Sequence, residues 1–208
     1  MKINNKGKVL IGAITVIFIV LTVISLTTLA SSPLRSAVQL FAIWGLYFIL
    51  ISSIMTAFLK EMYKAFGVPF IKVHHFFAIA GIVFATLHPV AFAIEVSTAR
   101  VFIPATESWI AFWELAGRPA IYLIYIAVAA GVLRKKLKNS WRKIHALMYV
   151  VAVFLIVHAN LIGTNFGTLT VSIIMNGLFA FSMGAMIYKQ VQKYQRKKAI
   201  QEKKSKKK

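Results

Sequence analysis

"WRKIHALMYVVAVFLIVHANLIGT", residues 141–164, decides how the chain folds. From Ile144 onward it is apolar enough to cross lipid, yet it carries His145 and His158, thirteen residues apart. A charged side chain at bilayer depth costs about 2.5–3.5 kcal/mol on insertion scales. A membrane helix that keeps two imidazoles therefore needs a partner for each.

The rest of the chain fits that setting. Its 208 residues are 59% hydrophobic, with a mean hydropathy of +0.75 and five acidic side chains, too apolar for a soluble domain. The fold class expected is all-α: a polytopic membrane six-helix bundle with both termini cytoplasmic. There is no cysteine, which excludes disulfides, thiolate metal sites and C-x-x-C-H attachment of haem. Any haem would be held noncovalently.

A bilayer core of about 30 Å needs about 20 apolar residues per helix. Runs of this kind cover approximately 9–30, 36–59, 73–95, 119–133, 143–163 and 169–188. The first is about twice the length of a signal-peptide core and is read as a retained span. The expected organisation is a cytoplasmic N-terminus (1–8), a six-helix domain (9–188) and a basic cytoplasmic tail (189–208). Alternating the spans from inside puts 22 of the 25 Lys and Arg residues on the cytoplasmic side, leaving Arg35, Arg100 and Arg118 outside. This asymmetry accounts for most of the +20 charge without a nucleic-acid partner. The tail is expected to lie solvated on an anionic inner leaflet. The connection 96–118, with Glu107, Trp109, Trp113 and Glu114, is expected to rest at the outer interface as an anchor.

All five histidines fall on two spans: His74, His75 and His88 on the third, His145 and His158 on the fifth. Both spans run outward, so His74 and His75 share a depth with His145, and His88 shares one with His158. At about 1.5 Å per residue the levels are about 20 Å apart, room for two stacked macrocycles. One imidazole from each helix at each level makes two bis-histidine axial sites. Fourteen residues return a helix to within about 40° of its start and thirteen leave it about 140° away, so His74 rather than His75 shares a face with His88. The stripe between them, Ala78, Gly81 and Ala85, is small and admits a flat porphyrin or a partner helix. His145 and His158 face one cleft only if their helix bends or changes pitch, or if they address different sides. Lys72, Arg142 and Lys143 stand beside the inner level as topology anchors or partners of haem propionates. Phe76, Phe77 and Phe84 are read as packing residues, Trp141 as an interface anchor, and Tyr149 as a packing residue with its hydroxyl satisfied.

At "HHFFAIAGIVFATLH" and "WRKIHALMYVVAVFLIVH", followed by "ANLIGT", the chain resembles the ferric reductase-like transmembrane domain family. That family includes the membrane portion of NADPH oxidases, ferric reductases and the haem subunit of methionine sulfoxide reductase systems. The resemblance covers most of spans two to six. It implies an inner b-type haem between His74 and His145, with His75 the alternative inner ligand, and an outer one between His88 and His158. Two haem b groups are thus expected, with these histidines as metal ligands.

The chain has no G-x-G-x-x-G after a strand, so the electron donor is expected on a separate molecule, a flavin reductase or a membrane quinol. The expected function is an oxidoreductase or electron-transfer subunit: a cytochrome b in the cell membrane, of a bacterial cytoplasmic kind. It would pass electrons to an extracytoplasmic acceptor. One competing reading is a quinol-fed haem subunit serving an extracytoplasmic reductase; another is a haem-free transporter or assembly factor using histidines for cations or protons. The last would call for intramembrane carboxylates, whereas Glu95 lies only at an outer edge.

Overall fold

The computed structural model describes residues 3–28 and 32–205, all helix and connecting turns with no strand among them. Five helices are long and apolar enough to cross a membrane: α1 (Asn5–Thr27), α2 (Pro33–Ala57), α4 (Phe70–Glu95), the broken helix Ser140–Ile162, and the apolar part of α10 (Leu169–Ser205). A shorter apolar helix, α6 (Gly117–Val132), is 16 residues long. Short helices α3 (Leu59–Phe66), α5 (Trp109–Glu114) and α7 (Arg134–Leu137) connect them, and the broken helix comprises α8 (Ser140–His145) and α9 (Leu147–Ile162). These elements are consistent with a multi-pass membrane protein. Residues 29 and 30, the end of the expected first span, lie outside the described residues.

Local sequence sets the helix ends. Ser32 caps α2, with Pro33 in its first turn where a missing N–H costs nothing. Gly67 ends α3 at φ 64°, a left-handed cap that glycine adopts without a Cβ clash. The connection between the second and third expected spans holds α3. That helix buries Met62, Ala65 and Phe66 while Lys60, Glu61 and Lys64 stay exposed. Helix α10 continues unbroken past residue 188 as far as Ser205, so the expected tail is largely an extension of the last apolar helix.

The core lies on α2. Tyr47, fully buried, donates to the Ile14 carbonyl at 2.6 Å, and Trp44 Nε1 donates to Thr22 Oγ1 at 2.9 Å, tying α1 to α2. On its other side α2 lies antiparallel against α4 at very short range. A Cβ at Gly45 would stand 2.8 Å from the Ala85 backbone nitrogen, and one at Gly81 2.9 Å from that of Ile49. The small stripe of α4 therefore serves a partner helix, the second of the two uses its composition allowed. Phe84 packs against Trp44 with centroids 5.1 Å apart, Phe77 is buried and Phe76 is exposed. On the far side, Asn160 and Asn176 exchange two amide hydrogen bonds of 3.0 Å, clasping α9 to α10.

Gly45→Ala should force α2 and α4 apart and cost about 1–3 kcal/mol. Gly177→Ala, where nothing lies within 4 Å of a new Cβ, should cost nothing. Thermal unfolding of the two variants in detergent checks the contrast.

Candidate functional site: two facing imidazole pairs

The histidines of α4 and of α8–α9 meet at two levels. The His74 and His145 rings lie with centroids 6.3 Å apart and planes at 77°. Those of His88 and His158 lie 6.5 Å apart at 63°. His75 is brought to neither pair. It is exposed, with its ring 6.0 Å from that of His74.

Each paired ring is held from behind by a neighbouring element through Nδ1. His88 Nδ1 is 3.0 Å from the Val38 carbonyl and His74 Nδ1 3.0 Å from Ser52 Oγ, both on α2. His145 Nδ1 is 2.9 Å from the Ala127 carbonyl of α6, and His158 Nδ1 meets the carbonyl of Glu114 at the end of α5. A carbonyl only accepts, so His88, His145 and His158, and His74 through its 3.3 Å contact with the Ser52 carbonyl, carry their proton on Nδ1 and leave Nε2 with a free lone pair. Among the described residues no Nε2 of the four has a hydrogen-bond partner in the protein.

The helix of the fifth span is interrupted at Ala146. This residue separates α8 from α9 at ψ −13°, and Tyr149 N bonds back to its carbonyl in a tighter i to i+3 pattern. Each residue wound at 3₁₀ pitch adds about 20° over an α-helix, which recovers a small part of the angle between His145 and His158.

The outer pair opens into a cleft with a cavity volume of about 210 Å³. Its walls are largely apolar, including Ile43, Leu46, Ile121 and Leu155, but Arg35 and Arg118 also line it. Arg35 pairs with Glu95 at 3.1 Å, and Arg118 donates to the Ile103 carbonyl at 2.9 Å. Gly117 abuts the imidazole: a Cβ there would stand 3.2 Å from His158 Nε2. Lys72, Arg142 and Lys143 are exposed at the inner end. The Trp141 ring lies tilted beside that of His145 with centroids 6.1 Å apart, and the Tyr149 hydroxyl is 3.4 Å from Thr56 Oγ1.

Two in-line metal–nitrogen bonds of about 2.0–2.1 Å, with each nitrogen about 1.1 Å from its ring centre, would separate two imidazole centres by about 6.3 Å. Both pairs stand at that separation. Among the described residues there is no group of three or more His, Cys, Asp or Glu side chains able to hold an ion. The donor set is thus two nitrogens per level, too few for a zinc site of three or four protein ligands. It suits an iron whose other four positions are filled by a macrocycle. The residues present fit a bis-histidine haem.

Val38, Ser52, Ala127, Glu114, Arg35 and Arg118 are site residues that sequence reasoning did not single out for the site. Nothing local marks the first four, since each acts through a fold-dependent contact. The two arginines were already exceptional as cations on the outer side. Comparison with known proteins found no match among family models, curated proteins or solved structures.

Proposed function

We propose that the protein is a transmembrane b-type cytochrome that conducts single electrons outward through two haems, in the manner of the ferric reductase-like family. His74 and His145 would hold the inner haem, His88 and His158 the outer. The observation that carries this reading is the repetition, at two depths, of an imidazole pair at metal-bridging separation with every Nδ1 engaged behind it. Haem b would supply the one-electron change of iron between its ferrous and ferric states.

The chain's own residues supply the rest. Donation from Nδ1–H fixes each ring and raises the basicity of Nε2. The apolar cleft walls exclude water and lower the local dielectric. Arg35 and Arg118 are the cations that face the outer cleft, and a guanidinium matches a haem carboxylate in two-pronged geometry. At the inner level the exposed Lys72, Arg142 and Lys143 remain available for the same task.

The haem-free transporter reading is weaker. Two-nitrogen sites leave a bare cation short of ligands, and the nearby carboxylate of Glu95 is already paired with Arg35.

In this reading α6 makes a sixth crossing and both termini face the cytoplasm, in a cell membrane of bacterial type. The distribution of Lys and Arg supports that orientation. An inside-negative potential then assists outward electron movement by about 2.3 kcal/mol per 100 mV for a full crossing. Electrons would enter at the inner level from a separate flavin reductase or a membrane quinol and leave to an extracytoplasmic acceptor.

A reduced-minus-oxidised spectrum of purified protein should show low-spin b haem at about two haems per chain. His88→Ala or His158→Ala should each remove one haem and leave the other. Folded but colourless protein would refute the cytochrome, and one haem per chain at saturation would refute the two-level arrangement. Arg118→Ala should speed loss of the outer haem about tenfold, the equivalent of one charge-assisted hydrogen bond. Transfer to apomyoglobin measures that rate.

A further inference from the structure

We infer that Ser52 is a positioning residue for the inner level, tuning the bond that His74 makes through Nε2 separately from those of the other three histidines. The inference rests on the cytochrome reading above. Three of the rings set Nδ1 against a main-chain carbonyl alone, that of Val38, Ala127 or Glu114. His74 differs. Its Nδ1 lies 3.0 Å from Ser52 Oγ and 3.3 Å from the Ser52 carbonyl, so the nearer acceptor is a buried hydroxyl.

The carbonyl at 3.3 Å is a weak acceptor by itself, so the hydroxyl at 3.0 Å is the oxygen that chiefly engages the Nδ1 proton and raises the basicity of Nε2. A more basic nitrogen would stabilise ferric iron more, which would lower the potential of the inner site. The same hydroxyl distinguishes His74 from its neighbour. His75, one residue on, is exposed and has no hydrogen-bond partner among the described residues. The position of Ser52 is itself fixed from outside, because Ser182 Oγ donates at 2.8 Å to Ser53 Oγ and so ties this turn of α2 to α10.

The test is a potentiometric titration of the full-length haem-loaded protein, followed in the visible absorption bands. The inner component is identified as the one lost in His74→Ala. In Ser52→Ala only the longer contact to the main-chain carbonyl is left, so the inner midpoint should rise while the outer midpoint stays in place. Ser52→Thr, which keeps the hydroxyl, should return the inner midpoint toward its original value. Loss of the inner haem alone in Ser52→Ala, reversed in Ser52→Thr, would also support the assignment. Both midpoints unchanged, or both moved together, would overturn it while leaving the cytochrome intact. Protein without haem would instead refute the cytochrome on which the inference rests.

Discussion

Everything at the two levels depends on hydrogen bonds that point away from the cleft. An imidazole in an apolar helix has two nitrogens to satisfy and no water with which to do it. In this protein each paired ring spends one nitrogen on an oxygen of the element behind it: α2 behind α4, α6 behind α8 and α5 behind α9. The ring is thereby fixed in rotamer and tautomer, and its second nitrogen is left without a partner among the described residues. The outer elements are not merely lipid-facing cover. Without their oxygens, the separations of 6.3 and 6.5 Å between facing rings would have nothing to maintain them.

Close helix packing makes those bonds possible. Val38 and Ser52 can reach His88 and His74 because α2 and α4 approach until backbone meets backbone at Gly45 and Gly81. The antiparallel register is consistent along the contact: residue 38 meets 88, 45 meets 85, 49 meets 81 and 52 meets 74. The glycines and the histidines of α4 are therefore one device. Small residues bring in the helix whose oxygens hold the imidazoles, and the 14-residue spacing places both imidazoles where those oxygens are.

Much of this was legible in the sequence, and what was not follows a physical pattern. Helical periodicity decides which residues of one helix share a face, so the preference for His74 over His75 on the face of His88 could be derived from spacing alone. The same argument on the fifth span gave a conflict of about 140°. That conflict was real information, because an ideal helix cannot present His145 and His158 together, and the chain breaks at Ala146. The small stripe was ambiguous because composition says that something comes close without saying what does; here it is α2. Ser52 and Glu114 were invisible for a deeper reason. Ser52 contributes from a helix with many polar alternatives, Glu114 contributes only its backbone, and any residue has a carbonyl.

The acidic side chains complete the argument for where charge can act. Glu95 neutralises Arg35 across the ends of α2 and α4, while Arg118 is tethered only by a main-chain carbonyl. The outer cleft thus keeps one guanidinium free of any carboxylate partner among the described residues. A buried or half-buried cation next to neutral imidazoles is unfavourable unless an anion joins it. The inner level needs no such arrangement, because its cations are exposed and hydrated. The two levels share an imidazole geometry but not an electrostatic setting. If both held the proposed haems, the two would therefore sit at unequal potentials, with the arginine-lined cleft favouring the anionic part of its occupant.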